Sequence, residues 1–520
     1  MLILSALVLG SSLLFDEVSA ASSRVAIIGA GTGGSSAAYW LRHAKQRAAP
    51  GTDIEITIFE QENRVGGRCA TVHPYGDPSY PPIETGAAIF TGGNRNMIRA
   101  ASEFGLTLTT FGSAINGTGV WNRSQFVQRT TNNATADQIV SNQRYQDGPS
   151  KTGALIVPYL NSFAKSYMPS FPEFATIEDY SSALSYTTLS TVTLKSYLTQ
   201  GGVNLNWIND FMAASTRFNY AQDVSKIHGV AGMASLASGS SYSIKTGNFK
   251  VFEQFIARSG ASLRLGTTVK SITKVGSKYL VETSAGEEQY DAVIVAAPLP
   301  LTKIKFTDTA TKPSSFAKVN YVHLHSTILT TTAPSLLPSY FQVDSSSPLP
   351  GTILTTGEYG STPEFTGLRY QSTIVRNGKI EYVVKIYSLE KMSNSKLDKL
   401  FGKNTVKWVH RQEGGCARVF QYSSIAIETV LAARRRVHRR PPPALKLHPI
   451  FNSNVLPRSV SSRLVQVMMV GLGSIRPECR LLKAIRNALA VTQFSPYPTS
   501  CFTAHSARVA GATSRRSHKT

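Results

Sequence analysis

The chain has 520 residues, of which 42% are hydrophobic and 16% are charged, and its formal net charge at pH 7 is +23. This composition predicts a folded protein with two or three domains, or a two-lobed enzyme, and excludes a largely disordered chain. No apolar run reaches the roughly 18–20 residues that span a bilayer. With only four cysteines the fold does not depend on a disulfide framework, and no Cys/His spacing indicates a metal site.

The first 20 residues have the pattern of a secretory signal peptide. An apolar stretch over 2–15 leads to the small-x-small sequence V-S-A at 18–20, and it is too short for an anchor. Three N-x-S/T sequons then follow in one polar segment, which predicts glycosylation of Asn116, Asn122 and Asn133. We expect passage through the secretory pathway to a lysosome, a vacuole or the extracellular space. The alternative for residues 1–20 is a buried N-terminal helix.

A glycine-rich turn follows the first predicted strand, "RVAII" at 24–28. The turn reads Gly29-Ala30-Gly31-Thr-Gly33-Gly34, a G-x-G-x-x-G pattern, and "SSAAYWLRHAKQ" predicts a helix after it. In such a turn Gly29 permits the tight bend, Gly31 lets the backbone reach a pyrophosphate, and Gly34 lets helix and strand pack closely. The amide groups and the dipole at the start of the helix favour a phosphate.

A second predicted strand, "DIEITIFE" at 53–60, supplies the context that this pattern requires. It ends in Glu60, followed by Gln61, and a carboxylate there accepts hydrogen bonds from ribose hydroxyls and repels a 2′-phosphate. Glu60 lies 26 residues beyond Gly34, longer than the usual spacing of about 20. We assign the excess to a loop over 45–53.

An arginine- and glycine-rich loop follows, "NRVGGRCAT", with Arg64, Gly66, Gly67 and Arg68. The two glycines allow close backbone approach, and either arginine is able to meet a diphosphate. For one arginine alone, a purely structural role is an equally good interpretation.

The segment "IETGAAIF" places Glu84 and Gly86 after a further short strand. The succession E-x-x-R-x-G-G-R and then [DE]-x-G is typical of FAD enzymes of the glutathione-reductase and amine-oxidase type, and NAD dehydrogenases lack its second half. The sequence therefore predicts an α/β fold with a Rossmann-like FAD-binding domain and an α+β substrate lobe.

The rest of the chain divides by pattern. We predict the first part of the FAD-binding domain over 24–100, a helical cap lobe over 101–244, the second part of the FAD-binding domain over 245–300, and a substrate-lobe sheet over 301–413. In enzymes of this type the chain near Val269 passes the adenine, and "DAVIVAAP" forms the strand that leads back out.

The last segment, 414–520, has 17 Lys or Arg residues and two acidic ones, and so carries +15 of the total charge. One interpretation of its "RRRVHRRPPP" is a patch for a polyanion or an anionic membrane, although an exported protein argues against nucleic acid. A second is a disordered extension. We favour a third, translation in a wrong frame or through an intron, because the composition changes abruptly after "KWVHRQE" and Cys416, Cys479 and Cys501 all lie beyond it.

With "IHGVAGMASLA", "SIKTGN", "NYAQ" and "DAVIVAAPL" added to the cofactor motifs, the chain resembles the prenylcysteine oxidases, also called prenylcysteine lyases, from about 24 to 413. Cys69 stands where that family usually has Leu, which a small hydrophobic thiol tolerates. The family ends in an acidic, aromatic block with a last FAD-contacting helix, and 414–520 contain nothing like it. As written, the predicted flavin site therefore lacks one wall.

The resemblance implies an FAD-dependent oxidation of farnesyl- or geranylgeranyl-cysteine to cysteine, a prenyl aldehyde and hydrogen peroxide. Its partners would be the prenylcysteine and oxygen, with at most a loose membrane association. His228 is a weak candidate for a base toward water, against the alternative of a histidine hydrogen-bonded within the fold. Two other functions stay open: another oxidase or desaturase of the same superfamily, such as an amine oxidase, and an inactive secreted relic.

Overall fold

The computed structural model describes residues 22–47, 53–110, 112–131, 133–172, 174, 177–236, 240–307, 320–360, 362–412, 419–421 and 468–470. The predicted signal peptide, most of the basic segment 414–520, and three of the four cysteines lie outside the described residues.

Short strands and helices alternate along the described chain. The strands are β1 (Ser23–Ile28), β2 (Ile54–Phe59), β3 (Thr71–Val72), β4 (Ile83–Glu84), β5 (Phe90–Thr91), β6 (Leu108–Thr110), β7 (Thr118–Trp121), β8 (Phe126–Arg129), β9 (Ser241–Ile244), β10 (Ser262–Arg264), β11 (Val269–Val275), β12 (Lys278–Thr283), β13 (Gly286–Tyr290), β14 (Ala292–Val295), β15 (Lys305–Phe306), β16 (Asn320–Val322), β17 (His325–Thr331), β18 (Thr352–Thr355), β19 (Gly367–Arg376), β20 (Lys379–Ser388), β21 (Val406–Gln412), β22 (Val419–Gln421) and β23 (Met468–Val470). The helices are α1 (Thr32–Arg47), α2 (Arg95–Glu103), α3 (Ala134–Tyr145), α4 (Gly148–Lys165), α5 (Ile177–Ala183), α6 (Leu194–Gln200), α7 (Leu205–Trp207), α8 (Ala213–Tyr220), α9 (Gly229–Leu236), α10 (Phe249–Ser259) and α11 (Asn394–Phe401).

The first layer is a five-stranded sheet in the order β10-β2-β1-β14-β23, parallel except for its last strand. β1 lies in the middle and pairs in register with β2 and β14, as in Val25↔Ile56 and Val25↔Ala292. The strand "RVAII" has no polar alternation because a central parallel strand is covered on both faces. The predicted strands at 24–28 and 53–60, and the returning strand "DAVIVAAP", are therefore all present, and the predicted α/β Rossmann-like class is confirmed.

Two layers cover this sheet. On one face Ile27 belongs to an apolar cluster with Leu41 of α1 and Phe252 of α10. On the other face Ile28 packs in a cluster with Ile272 from the antiparallel meander β11–β13. α1 continues to Arg47, so the first three residues of the predicted loop 45–53 are helical.

A second lobe is built on a seven-stranded sheet in the order β21-β17-β20-β19-β18-β7-β8. Adjacent strands in this sheet are antiparallel, except that β18 and β7 are parallel. β7 and β8 come from the segment 101–244 that was predicted as a helical cap, so that segment is not helical throughout. The four residues of β7, T-G-V-W, are too short for a periodic signal, and their pairing partner β18 lies more than 200 residues further along the chain.

Helices α3–α9 form the helical part of the predicted cap, around a core that includes Tyr145, Leu194 and Met233. The strands β6 and β9 also lie within 101–244. Asp210, fully buried in a π-helical turn between α7 and α8, ties this lobe to the sheet lobe. It accepts hydrogen bonds from Arg144 Nε at 2.7 Å, Tyr145 Oη at 2.9 Å and Tyr359 Oη at 2.5 Å. Within the described ranges, no helix combines the length and the apolar character needed to cross a bilayer.

Candidate cofactor and active site

The glycine turn between β1 and α1 is held by its backbone. Gly29 has a φ of +104°, and its amide donates to Phe59 O at 2.7 Å. A Cβ at Gly29 would lie 3.0 Å from Ala296 O, and one at Gly34 would lie 1.8 Å from Gly29 O. Packing within the protein therefore requires glycine at both positions, in agreement with the tight-turn and close-packing roles predicted for them.

Gly31 is different, because nothing in the described part of the protein demands a glycine there. Its φ is not in the left-handed range, and an added Cβ would meet only Gly67, with its Cα at 3.6 Å, an ordinary contact. α1 starts at the next residue and has no acidic side chain in its first turn, which includes the half-buried Gly33. Gly31 has no side chain to block a ligand, and no acidic side chain offsets the positive end of the α1 dipole. Both features favour the close approach of a diphosphate.

Glu60, at the end of β2, is 8% exposed and is joined to the glycine turn. Its Oε2 accepts from the amide of Ala30 at 2.8 Å and its Oε1 from the amide of Glu62 at 2.9 Å. A carboxylate has about four acceptor sites, so about two remain for ribose hydroxyls. The next residue, Gln61, is exposed.

The diglycine loop lies directly against the glycine turn. Gly66 forms a β-bridge with Gly31, and its amide donates to Ala30 O at 3.0 Å. Gly66 and Gly67 have φ values of +113° and +55°, and a Cβ at Gly66 would meet Cys69 O at 2.6 Å. The turn, Glu60 and the diglycine loop therefore meet in one place, as the predicted cofactor site requires.

The two arginines of this loop have different surroundings. Arg64 Nη2 donates to Gly67 O at 2.8 Å and forms an ion pair with Glu62 at 2.8 Å, while its Nη1 lies 3.3 Å from Cys69 O. Arg64 thus stabilises the diglycine loop, which is the structural role considered for it as an alternative to binding a diphosphate. Arg68 is half-buried. Cys69 is buried as the predicted small hydrophobic residue.

The segment after β4 runs beside this loop. The amide of Thr85 donates to Ala70 O at 2.8 Å and that of Ala87 to Arg68 O at 3.2 Å, which places the buried Gly86 next to the loop. Asn248 clamps the same segment from the start of α10, since its Nδ2 donates to Ala87 O at 2.9 Å and Ala88 O at 3.0 Å. The sequence marked Gly247-Asn248 only as a family block, and the structure supplies this role for Asn248.

Glu84 and Lys385 meet between the two lobes. Glu84 is 5% exposed, its Oε1 accepts from the amide of Asn248 at 2.5 Å, and burial raises its pKa to about 8. Lys385, on β20, is also 5% exposed and donates from Nζ to Glu84 O at 2.5 Å. Sequence reasoning missed Lys385. The available signal was one lysine within the apolar strand "EYVVKIYSL".

The start of β11 also reaches the site. The amide of Thr267 donates to Glu60 O at 2.8 Å and that of Gly266 to Glu62 O at 3.2 Å. Val269 is buried against the main sheet in a cluster with Phe59. Val269 therefore lies close to the end of β2, where the adenine end of the predicted cofactor belongs.

A cavity of about 790 Å³ opens on the outer side of the diglycine loop. Its walls come from that loop, α10, β10 and the end of β21, and they include Arg64, Thr85, Phe249, Leu263 and His410. The family resemblance implies a long apolar pocket for the prenyl chain, which we expect in the helical lobe, and that location stays a prediction.

His228 lies elsewhere, at the start of α9 in the helical lobe. It is 5% exposed, its Nε2 lies 2.7 Å from Ser190 O, and burial lowers its pKa. This geometry favours the alternative of a histidine hydrogen-bonded within the fold, and a catalytic role for it stays a prediction.

The three predicted glycan acceptors differ in exposure. Asn116 is exposed, and Asn133 caps α3 by accepting from the amide of Ala136 at 3.0 Å. Asn122 is 5% exposed, and its Oδ1 accepts from the amides of Ser124 and Gln125. In the folded protein, Asn116 and Asn133 are therefore better placed to carry glycans than Asn122.

Comparison with known proteins agrees with this architecture. Residues 143–418 match the family described as Prenylcysteine lyase, and residues 27–104 match the NAD(P)-binding Rossmann-like domain. A triple mutant of putrescine oxidase matches with a TM-score of 0.51 at 13% identity, over 80% of this chain and 91% of that one. That likeness concerns the fold alone.

Two curated relatives are similar over most of their length. Farnesylcysteine lyase of Arabidopsis thaliana is 29% identical over 399 residues, which are 73% of this chain and 76% of that protein. Prenylcysteine oxidase 1 of Homo sapiens is 26% identical over 414 residues, which are 74% of this chain and 78% of that protein. The first family match alone covers more than half of the chain, and it confirms the resemblance that the motifs predicted. The chain belongs to the prenylcysteine lyase family of flavin oxidoreductases.

Proposed function

We propose that the protein is an FAD-dependent thioether oxidase. It converts farnesyl- or geranylgeranyl-cysteine, water and oxygen to cysteine, a prenyl aldehyde and hydrogen peroxide. The observation that carries the proposal is the meeting of the glycine turn, Glu60 and the diglycine loop, beside Gly86, in a chain of this family. The names of the two relatives, which refer to farnesylcysteine and prenylcysteine, support the same substrate class.

The described residues around the glycine turn fit the adenosine diphosphate part of FAD. The amides at the start of α1, next to Gly31, would hold the diphosphate, and Glu60 would accept from the adenosine ribose. The diglycine loop and the Gly86 segment would follow the cofactor toward the sheet lobe. When bound, FAD supplies a hydride acceptor that oxygen reoxidises.

The proposed oxidation needs little general acid or base catalysis from the side chains of the protein. The reacting carbon lies between a sulfur and an allylic double bond, and both stabilise the positive charge that develops as its hydride leaves. A water oxygen then bonds to this carbon and releases a proton, and the C–S bond breaks as the thiol takes up a proton. The residues around the site orient the thioether and exclude bulk water.

Binding energy comes from the prenyl chain. Burial of apolar carbon is worth about 0.8 kcal/mol per CH₂ group, so a farnesyl chain gains several kcal/mol in an apolar pocket. We propose the helical lobe as the location of that pocket, because its apolar residues Ala214 and Phe218 pack against Val120 and Leu354 of the sheet lobe.

The test is a spectrum followed by an assay. We expect the purified full chain to bind FAD, to absorb at about 450 nm, and to release peroxide and a prenyl aldehyde on addition of farnesylcysteine. Peroxide release with an amine such as putrescine, and none with farnesylcysteine, would overturn the proposal in favour of an amine oxidase. A chain that fails to take up FAD would indicate an inactive relic.

We also propose export through the secretory pathway, supported by the apolar residues 2–15 and by exposed Asn116. Expression in a eukaryotic cell with and without an N-glycosidase tests this. A mass shift that Asn116→Gln and Asn133→Gln remove together is expected, and its absence in a chain recovered from the cytosol would contradict export.

A further inference from the structure

Lys385 occupies the junction of three parts of the molecule. It is on the face of β20 that also carries Val383 and Tyr387. Val383 packs against Ile83 of the cofactor-binding part, and Tyr387 packs edge-on against Phe218 of the helical lobe. Between them, the Lys385 ammonium reaches the main chain of Glu84, two residues from Gly86.

This ammonium is buried with little compensation. Lys385 is 5% exposed; its Nζ donates to Glu84 O at 2.5 Å and lies 5.0 Å from the centre of the Tyr387 ring. Among the described residues, the ammonium donates one hydrogen bond, to Glu84 O, and lies over the Tyr387 ring. Two of its three N–H groups therefore have no hydrogen-bond acceptor. A buried charge normally requires an opposite charge in hydrogen-bond contact, and neither of these groups is one.

In the ranges that the structure describes, no neighbouring carboxylate is in hydrogen-bond contact with the Lys385 ammonium. The Glu84 carboxyl has Oε1 bound to Asn248, and its buried Oε2 has no hydrogen-bond partner in the described part of the chain. Burial raises the pKa of Glu84 to about 8, and it outweighs the hydrogen bond from Asn248 and the nearby Lys385 charge, which both lower this pKa. The carboxyl is therefore largely protonated near pH 7. Glu381, on the same face, accepts from Tyr75 Oη at 2.6 Å. Arg369, opposite Lys385 on β19, is a further cation and donates to Gly112 O at 2.7 Å.

We propose that Lys385 binds the carboxylate of the amino-acid head group of the substrate and thereby selects free prenylcysteine over its esters. The inference rests on the proposed function, since prenylcysteine is an amino acid whose only anionic group is this carboxylate. Bound there, the head group lies beside the Gly86 segment while the prenyl chain extends toward the helical lobe. An anionic oxygen of the cofactor is the other source of the same chemistry, and the experiment separates the two.

The experiment measures binding to the FAD-loaded full chain without turnover. The probe is S-dodecylcysteine, a saturated thioether that lacks the allylic carbon, and the comparison probe is its methyl ester. Lys385→Met is compared with Lys379→Met, an exposed position on the same strand. We expect Lys385→Met to raise the Kd of the free acid at least tenfold and to leave the ester unchanged, and Lys379→Met to change neither.

Two results overturn the proposal. One is equal binding of acid and ester by the wild-type protein, a result that stands even if Lys385→Met does not fold. The other is a Lys385→Met variant that binds the acid normally but loses affinity for FAD, which assigns the anion to the cofactor. Preference for the acid in a protein that does not oxidise farnesylcysteine would uphold the site and refute only the proposed function.

Discussion

Glu60 Oε2 accepts a hydrogen bond from the amide of Ala30 at 2.8 Å, so the acid that ends β2 and the glycine turn that follows β1 form one unit. The bond joins residues 30 positions apart and is buried. It orients the carboxylate before any ligand arrives, which lowers the entropy lost on binding.

Replacement of Glu60 tests this unit. Glu60→Ala leaves the buried amide of Ala30 without its acceptor, which costs about 1–3 kcal/mol of unfolding free energy, and it removes the ribose acceptor. We expect a lower Tm and at least a tenfold higher Kd for FAD, measured by thermal unfolding and flavin titration. Glu55→Gln, at an exposed position of β2, is the control and should change neither. Unchanged FAD affinity in Glu60→Ala would refute the ribose role.

Two glycines of the turn should respond in opposite ways to alanine. Gly31→Ala adds a methyl group at an ordinary 3.6 Å from Gly67 Cα, so we expect a Tm within a few degrees of wild type but a much weaker affinity for FAD. Gly34→Ala places its methyl group 1.8 Å from Gly29 O, so the backbone must shift and the apoprotein itself should be destabilised. Apoprotein Tm and FAD titration distinguish the two, and a destabilised Gly31→Ala apoprotein would argue that this glycine serves packing.

Glu84 predicts a pH dependence of stability. Its pKa is raised by burial from 4.5 to about 8, so between these values the folded protein binds a proton that the unfolded chain releases. The stabilisation from protonated Glu84 is therefore fully present below pH 4.5 and is lost as the pH rises through 8. Between these two values the free energy of unfolding falls by about 1.4 kcal/mol for each pH unit. Denaturant unfolding of wild type and Glu84→Gln from mildly acidic to mildly alkaline pH measures it. We expect a shallower decline in the variant, and parallel curves would contradict the raised pKa.

His228→Ala separates the two roles considered for this histidine. Loss of the Nε2–Ser190 O hydrogen bond in a buried site should reduce the unfolding free energy by about 1–3 kcal/mol. Because burial lowers the pKa of His228, this residue also makes the protein less stable as the pH falls below 6.5. We expect kcat for farnesylcysteine to stay within about twofold of wild type. A loss of about a hundredfold or more in kcat, with Tm unchanged, would restore the proposed base.

The glycine turn was predictable because its cause is local. Gly29 needs a positive φ and Gly34 needs contact with a carbonyl five residues away, and both requirements are expressed within a few residues. The strand "RVAII" and the acid at the end of "DIEITIF" are read in the same way, from burial on both faces and from spacing. The contacts of Arg64 with two carbonyls of its own loop were not readable, because they depend on the folded conformation of that loop.

The sequence alone determined the Rossmann-like class, the turn with Glu60 and the family, because each depends on backbone conformation and burial within short segments. Tertiary structure decided that β7 and β8 complete the sheet of the second lobe. It also decided that Lys385 meets the main chain of Glu84, 301 residues away. Contacts at such separations depend on how whole layers pack, and no local pattern of residues encodes them.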